Sequence, residues 1–274
     1  MRFELDPSIQ AHYAREVERD RLTTWGRLEF ERTKDLMERF LPPSPARVLD
    51  VGGAEGAYAL FLAARGYEVH LLDPWAPHVE AARTASASRA RGRLASVAVG
   101  DARDLPFADA SADAVLMLGP LYHLIDPADR RRALDEARRV LQPGGVLMAA
   151  AISRFASTYD GIRTGAIAET AFEAVVEDDL AYGVHRNPDP EGRPEWFTLA
   201  YFHTPDGLGT ELRAAGFEEP EVLAIEGPGA FWDAGPALDH AATREAVMRA
   251  IRRVEAEPAL LGASAHLMAI ATAR

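Results

Sequence analysis

The chain has 274 residues, of which 48% are hydrophobic and 26% charged, and this is the ordinary composition of a globular protein. Acidic residues outnumber basic ones by 42 to 30, and the formal net charge of −12 disfavours binding to nucleic acid, which requires a basic surface. Because the chain has no cysteine, disulfide bonds and thiolate metal sites are excluded.

The first 41 residues are predicted to form a helical lid. Leu36 and Phe40 are spaced to share one helix face, and so are Met37 and Leu41. The prolines in residues 42–45 then end the helix, since proline cannot continue its hydrogen-bond ladder. The beginning of the sequence lacks the apolar stretch of a secretory signal, so we expect a cytoplasmic protein. No apolar run approaches the ~18–20 residues of a membrane-spanning helix, so we expect no membrane segment.

Short apolar runs alternate with helical segments through the middle of the chain. We predict strands at residues 47–51, 68–72, 94–99, 113–118 and 146–151. We predict helices at residues 57–65, 77–91 and 128–141. This alternation predicts an α/β fold with a doubly wound, mostly parallel sheet and helices on both faces. Ligands bind such sheets at the carboxyl ends of the strands.

Residues 152–203 interrupt the alternation and are rich in aromatic residues and histidine. We interpret them as an insertion that caps the active site. Regular structure resumes at Thr204, the predicted N-cap of a helix, and two more strands are predicted at residues 221–225 and 266–272, for seven in total. We therefore predict a single domain with four parts: lid, core, cap and C-terminal part of the sheet, at residues 1–41, 46–151, 152–203 and 204–274.

The strongest local signal is a turn of small residues after the first predicted strand. Residues 48–56 read VLDVGGAEG, so a strand runs into glycines and then into a helix. Only residues without bulk let the backbone approach a ligand this closely, and the helix aims its first amides at a polar or anionic group. Asp73 ends the second strand about 20 residues later, where a carboxylate can accept hydrogen bonds from ribose hydroxyls. Asp101 follows the third strand, where it can accept from the exocyclic amine of a purine.

Five segments occur in a specific order and spacing. They are residues 48–56, Asp73, residues 100–107 (GDARDLPF), residues 113–118 (DAVLML) and residues 139–145 (RVLQPGG). Together they resemble the class I S-adenosylmethionine (SAM)-dependent methyltransferases, closely over residues 46–151 and more loosely over residues 204–274. The resemblance implies a Rossmann-like seven-stranded sheet, SAM as cofactor and methyl transfer to a small-molecule acceptor.

The same resemblance implies which residues bind SAM. The turn would hold the methionyl part through Asp50, Gly52, Gly53, Ala54 and Gly56. Asp73 and Pro74 would bind the ribose, and Asp101 and Ala102 would bind the adenine. Leu118 and Gly119, at the end of the fourth strand, would line the cofactor site. The family commonly has glycine where this chain has Ala54, so we expect a negative φ at Ala54.

Tyr122 and His123 follow the fourth strand, where transferases of this kind place residues between cofactor and acceptor. His123 is interpreted as a general base or as a contact of the cofactor, because the unperturbed pKa of histidine is near neutrality. Tyr122 is interpreted as part of the pocket wall. His203 is a second candidate catalytic residue. Substrate contacts are predicted at Trp196 and Tyr201, and more weakly at Glu195.

Tyr13 and Arg21 lie in the predicted N-terminal lid. Helices at this place in the family often cover the cofactor, so both residues are predicted to contact SAM. Arg21 would pair with the carboxylate of SAM.

Two other functions are compatible with the sequence. A nicotinamide-dependent oxidoreductase has a similar sheet, but here the G-x-G-x-x-G fingerprint is degraded, with Ala54 and Ala57 replacing glycines. A SAM-binding protein that does not methylate is the second alternative. The eight histidines show no metal-binding spacing, so no metal site is predicted. The partners expected are a small-molecule acceptor and neither nucleic acid nor a membrane, with the oligomeric state left open.

Overall fold

The computed structural model describes residues 4–16, 18, 20–231 and 236–274. These residues form nine β-strands: β1 (Arg47–Val51), β2 (Glu68–Asp73), β3 (Ser96–Val99), β4 (Ala112–Met117), β5 (Leu141–Ile152), β6 (Val184–His185), β7 (Ala200–Tyr201), β8 (Glu218–Ala224) and β9 (His266–Thr272). Seven of them form one sheet in the order β3-β2-β1-β4-β5-β9-β8, and β6 pairs with β7. In the large sheet only β9 runs against its neighbours, since β1 to β5 are parallel and both β5 and β8 pair with β9 in antiparallel fashion.

Eleven α-helices are found in the described part of the chain: α1 (Pro7–Tyr13), α2 (Arg27–Phe40), α3 (Ala57–Ala63), α4 (Ala76–Ala87), α5 (Pro120–His123), α6 (Pro127–Val140), α7 (Ala156–Thr164), α8 (Thr170–Tyr182), α9 (Pro205–Ala214), α10 (Ala241–Arg252) and α11 (Pro258–Leu261). Short 3₁₀ turns lie at Arg21–Thr23, Ala166–Ala168, Pro194–Trp196, Gly227–Phe231 and Pro236–Asp239. None of the helices described combines the length and the apolar character needed to cross a bilayer.

The sheet has an apolar core on each face. On one face Leu134 of α6 and Leu212 of α9 are fully buried in one cluster with strand residues. On the other face Leu36 of α2 and Leu62 of α3 belong to a second buried cluster. Strands buried on both sides are continuously apolar rather than alternating, which explains why short apolar runs located them. The predicted α/β fold, with a mostly parallel seven-stranded sheet and helices on both faces, is confirmed.

The lid differs from its prediction. A helix was expected through most of residues 1–41, of which residues 1–3, 17 and 19 lie outside the described part. Instead α1 ends at Tyr13, and Glu16 has a φ of 58° that no α-helix contains. The regular helix starts again only at Arg27, so the lid consists of two helices with a break between them.

The helix predicted at residues 77–91 ends earlier, at Ala87. The hydroxyl of Ser86 accepts a hydrogen bond from the amide of Leu94 at 2.9 Å. Serine side chains compete with helical backbone bonds in this way. Gly92, with a φ of 66°, reverses the chain toward β3.

The cap (residues 152–203) contains two helices, α7 and α8, and the small β6–β7 sheet. A buried polar chain joins these parts: the Ser157 hydroxyl donates to Asp179 at 2.5 Å, and His185 Nδ1 lies 2.9 Å from the same carboxylate. His185 Nε2 lies 2.7 Å from the carbonyl oxygen of Trp196. The aromatic composition of the segment indicated a cap but not its helices, and the four-part division of the chain stays a prediction.

Candidate functional site

The small-residue turn between β1 and α3 lies against the start of α5. Gly52 has a φ of 73°, and a β-carbon there would lie 2.8 Å from the ring of Pro120. A β-carbon on Gly53 would lie 2.7 Å from a carboxylate oxygen of Asp50. Both positions therefore need glycine. Gly56, with a φ of 87°, is the N-cap of α3, and its predicted contact with the cofactor stays a prediction.

Ala54 contradicts the expected negative φ, because its φ is 47°. An alanine in this conformation costs roughly 1–2 kcal/mol relative to the right-handed region. Its amide donates a hydrogen bond to Asp73 Oδ2 at 2.9 Å, which ties the turn to the end of β2. The contact between two strand ends thus selects a backbone conformation that the sequence of the turn alone disfavours.

Asp73 is buried at the end of β2 and organises this corner of the sheet. Besides Ala54, it accepts from the amide of Trp75 at 2.9 Å, and His78 Nδ1 lies 3.3 Å from Oδ1. An ionised carboxylate offers about four acceptor positions, so at least one remains for a hydroxyl group of a ligand. This capacity fits the predicted ribose contact.

Asp50 is a buried acid of the site whose carboxylate lacks hydrogen-bond partners in the described part of the chain. Its carboxylate is buried, and neither oxygen has a hydrogen-bond partner among the described residues. Burial, followed by the negative charge of Asp73, raises the pKa of Asp50 to about 7. The nearby backbone amide of Ala59 lowers this pKa, although it does not form a hydrogen bond with the carboxylate. A buried acceptor without a partner is unfavourable by roughly 1–3 kcal/mol. A ligand cation such as the ammonium group of SAM would satisfy it, so the residues present fit this cofactor.

Asp101 already accepts hydrogen bonds from within the protein. Arg103 donates to both of its oxygens at 2.8 Å, and the Arg103 amide donates to Oδ1 at 2.9 Å. Both residues line the site together with Ala102. The predicted contact with adenine therefore depends on the acceptor positions that Arg103 leaves open.

One cavity of about 1700 Å³ runs along the carboxyl edge of the sheet and below the lid and the cap. It is lined by most of the predicted site residues, namely Asp50, Gly52, Gly53, Ala54, Asp73, Pro74, Asp101, Ala102, Leu118, Gly119, Tyr122, His123, Tyr13, Arg21, Glu195 and Trp196. Gly56, Tyr201 and His203 do not line it. The turn, the two strand-end aspartates and the lid thus face a single shared space.

His203 and Tyr201 were predicted to belong to the site but do not line the cavity. Along an extended segment successive side chains point to opposite sides, and here Phe202 faces the cavity while its two neighbours face away. His203 Nε2 lies 3.3 Å from Glu211, and the Arg130 guanidinium stacks 3.7 Å above the ring of Tyr201. Burial lowers the pKa of His203. In the structure these residues join the cap to α9 and α6, and their predicted roles at the substrate stay predictions.

Arg21 lines the cavity, but its charge is already neutralised. Its guanidinium donates to Glu29, and Nε lies 2.9 Å from Glu18. Burial works against the charged form of Arg21, but the Glu29 carboxylate outweighs it and raises the pKa. Arg21 thus joins Glu18 and Glu29 within the lid, and its predicted pairing with the carboxylate of SAM stays a prediction.

The cap side of the cavity is aromatic. Its wall includes Phe172, Phe197 and Phe202, which the sequence did not single out, besides the predicted Trp196. Trp196 packs edge-on against Phe172, with ring centroids 5.0 Å apart. The aromatic content of residues 152–203 was the signal for this chamber, but which aromatic residues face inward is set by packing of the cap.

His123 stands between the aromatic chamber and the turn. Its Nε2 lies 2.7 Å from the Tyr13 hydroxyl of the lid. Burial lowers the pKa of His123 to about 4, so the ring is neutral at neutral pH. Tyr122 packs beside it, with ring centroids 4.7 Å apart, and burial also raises the pKa of Tyr122. The site therefore contains neutral polar groups against apolar walls.

Glu29, Glu226 and His266 form a cluster with side-chain ligand atoms within 4.8 Å of one another, and His266 lines the cavity. His266 Nδ1 lies 2.5 Å from Glu226 and 3.7 Å from Glu29. Burial would lower the pKa of His266, but the two carboxylates outweigh it and raise the pKa to about 9. The cluster is thus an ion-pair network, in which the cationic side chains of His266 and Arg21 pair with the two carboxylates.

This network predicts a pH dependence of stability. Because the pKa of His266 is about 9 in the folded chain and ~6.5 when unfolded, its contribution is complete below pH ~6.5 and is lost as the pH rises through 9. We expect His266→Gln to lower the free energy of unfolding by on the order of 3 kcal/mol at pH 6 and by little at pH 9.5. Urea titrations of both proteins at the two pH values measure this. An equal difference at both would contradict a charged His266.

Comparisons with known proteins agree with this geometry. Residues 49–149 match the family model described as a methyltransferase domain. An uncharacterized methyltransferase of Mycobacterium bovis is 34% identical over 113 residues, which are 41% of this chain and 42% of that relative. The chain thus matches less than half the length of this relative.

A longer match exists with a demethylmenaquinone methyltransferase of Clavibacter sepedonicus. It is 31% identical over 188 residues, covering 66% of this chain and 69% of that protein. Among solved structures, a SAM-dependent methyltransferase of Methanosarcina mazei superposes with a TM-score of 0.59 at 21% identity, covering 87% of this chain and 96% of the other. At this identity the structural likeness concerns the fold.

Proposed function

Because the chain belongs to the class I SAM-dependent methyltransferases, we propose that it transfers the methyl group of SAM to a small-molecule acceptor and releases S-adenosylhomocysteine. The observation that carries the proposal is the shared cavity. The glycine turn, the unsatisfied Asp50 and the strand-end Asp73 face one space that also extends under the aromatic cap.

The proposed cofactor end lies at the turn. Asp50, Gly52, Gly53 and Ala54 would hold the methionyl part, where the buried carboxylate of Asp50 suits the ammonium group. Asp73 and Pro74 would contact the ribose. Asp101 and Ala102 would contact the adenine, with Leu118 and Gly119 as the remaining wall.

The proposed acceptor end lies under the cap. Pockets for drug-sized ligands occupy about 300–1,000 Å³, so a cavity of about 1700 Å³ has room for SAM and for a sizeable second molecule. Its wall is formed by apolar side chains such as Ile152, Phe197 and Phe202. These favour a flat, apolar acceptor. The relative from Clavibacter sepedonicus is named for demethylmenaquinone, and an apolar acceptor of this kind would suit the same chamber.

Catalysis by such a site needs little covalent participation of the protein. SAM supplies an electrophilic methyl group, and much of the rate of an in-line displacement comes from holding the two reactants at attack distance. The lid and the cap supply this orientation and exclude water, because α1 and the cap both contribute to the cavity wall. A cytoplasmic location is proposed on the sequence alone.

Two measurements test the proposal. We expect saturable binding of SAM, and not of NAD, in a calorimetric titration. We also expect release of S-adenosylhomocysteine with a panel of phenol, 2-naphthol and 2-hydroxyanthracene, and faster release with the larger rings. Binding of NAD without SAM would favour an oxidoreductase. Tight SAM binding without turnover of any acceptor would favour a SAM-binding protein that does not methylate.

A further inference from the structure

A hydrogen bond joins two parts of the chain that are 110 residues apart. The hydroxyl of Tyr13, at the end of α1, lies 2.7 Å from Nε2 of His123, at the end of α5. Both side chains line the cavity. The base predicted from the sequence therefore does not face the cavity alone, because a hydroxyl group of the lid stands at its ring nitrogen.

The direction of this hydrogen bond depends on which ring nitrogen of His123 carries the proton. Burial raises the pKa of Tyr13 well above its usual value and lowers the pKa of His123 to about 4, so at neutral pH both are uncharged. With the imidazole proton on Nδ1 the Tyr13 O–H donates to Nε2, and with the proton on Nε2 the imidazole donates to the Tyr13 oxygen. Proton transfer from Tyr13 to His123 requires the first of these two arrangements. In that arrangement the lone pairs of the Tyr13 oxygen stay available as acceptors.

The surroundings hold the Tyr13 ring in place. It packs edge-on against His78, with centroids 5.1 Å apart, and against His123 at 5.6 Å. His78 in turn contacts Asp73 at the proposed ribose site. On the cap side, the ring of Phe197 lies 6.0 Å from His123. The pair thus sits where the cofactor end and the aromatic chamber meet.

The lid is held to the cap by contacts of its own. The Thr198 hydroxyl donates to the carbonyl oxygen of Ser8 at 3.2 Å, and His12 packs edge-on against Phe197 with centroids 5.2 Å apart. Tyr13 therefore reaches His123 only when α1 lies on the cap. The other titratable groups that act on His123 are His12, Glu18 and Asp73.

We propose that Tyr13 and His123 form a catalytic dyad, completed by the lid, that removes the proton from a hydroxyl group of an aromatic acceptor. The inference rests on the proposed function, because it needs a methyl acceptor. The acceptor hydroxyl donates to the oxygen of Tyr13, and Tyr13 donates to His123. Tyr13 is thus the residue that touches the acceptor, and His123 is the final proton acceptor.

The step balances in atoms and charge. The acceptor O–H proton moves to the Tyr13 oxygen while the Tyr13 proton moves to His123 Nε2. A lone pair of the acceptor oxygen forms the new O–CH₃ bond as the C–S bond of SAM breaks and its electron pair stays on sulfur. One positive charge disappears at sulfur and one appears on the imidazole, so the net charge of the buried cavity is unchanged. The proton then passes from His123 to solvent.

Tyr13→Phe and His123→Gln test the dyad. Tyr13→Phe keeps the ring and removes only the hydroxyl group, and Tyr182→Phe is the matched control because Tyr182 is 70% exposed. With 2-naphthol as acceptor, we expect both dyad variants to lower kcat by about 10²- to 10⁴-fold. The affinity for SAM should change by less than about fivefold, which corresponds to under about 1 kcal/mol.

A second readout does not depend on turnover. In ¹⁵N spectra of the side chains we expect neutral His123 to carry its proton on Nδ1 and to show a hydrogen-bonded Nε2, and we expect the Nε2 resonance to shift in Tyr13→Phe but not in Tyr182→Phe. Full turnover by Tyr13→Phe, or a proton on Nε2 in the wild type, would overturn the dyad while leaving methyl transfer intact. A wild type that binds SAM but yields no S-adenosylhomocysteine would overturn the proposed function and the dyad's catalytic role together.

Discussion

Replacement of Asp73 by alanine is expected to weaken the binding of SAM by about 1–3 kcal/mol, or roughly 5- to 150-fold. The substitution removes the acceptor proposed for the ribose hydroxyls. It also leaves the Ala54 amide without its partner, so the left-handed conformation of the turn loses the contact that holds it. The loss of the ribose acceptor and the loss of the contact that holds the turn are therefore both expected to weaken the binding of SAM.

A calorimetric titration of the variant with SAM measures this loss. Asp113→Ala is the matched control, because Asp113 lies near the start of β4, at the amino-terminal ends of the strands, and accepts a hydrogen bond from the Arg47 amide at 2.7 Å. It does not line the cavity. We expect the control to bind SAM like the wild type. Equal affinities in Asp73→Ala and the wild type would show that the ribose lies elsewhere.

Replacement of Arg32 by methionine is expected to lower the free energy of unfolding by about 3 kcal/mol. Arg32 is fully buried in α2, donates to the carbonyl oxygen of Ile225 at 2.9 Å and pairs with Glu255 at 2.5 Å and with Asp35. Methionine fills similar space but leaves the Ile225 carbonyl without this donor. Nearby arginines also bind the two carboxylates, which keeps the loss at the low end of the range for a broken buried ion pair.

Urea unfolding of Arg32→Met measures this second effect. The control is Arg131→Ala, which removes an exposed pair with Asp135 on the surface of α6. Such pairs contribute only about 0.3–0.5 kcal/mol. If the two variants unfolded at the same urea concentration, the Arg32 network would not be what attaches α2 to the C-terminal part of the chain.

The sheet could be predicted because its signal is local. Strands such as β1 and β9 are short apolar runs, and turn residues bound them in sequence. The proximity of Gly52 and Asp73 could also be predicted from the sequence. A glycine turn after a strand and an aspartate at the end of the next are placed side by side by parallel pairing of β1 and β2.

The remaining features depend on contacts between distant residues. The φ of Ala54 follows from its bond to Asp73, and the role of Arg21 follows from Glu18 and Glu29. His203 seemed suitable for catalysis by residue type alone, but the alternation of an extended segment turns it away from the cavity. None of these partners is visible from the spacing of residues along the chain.

The most direct test of the proposed cofactor site is a crystal structure of the protein with S-adenosylhomocysteine. We predict that the ligand lies against the turn of Gly52 and Gly53, with ribose hydroxyls within hydrogen-bonding distance of Asp73 and the amino group next to Asp50. A ligand bound outside this cavity, or one whose ribose does not contact Asp73, would contradict the proposed cofactor site.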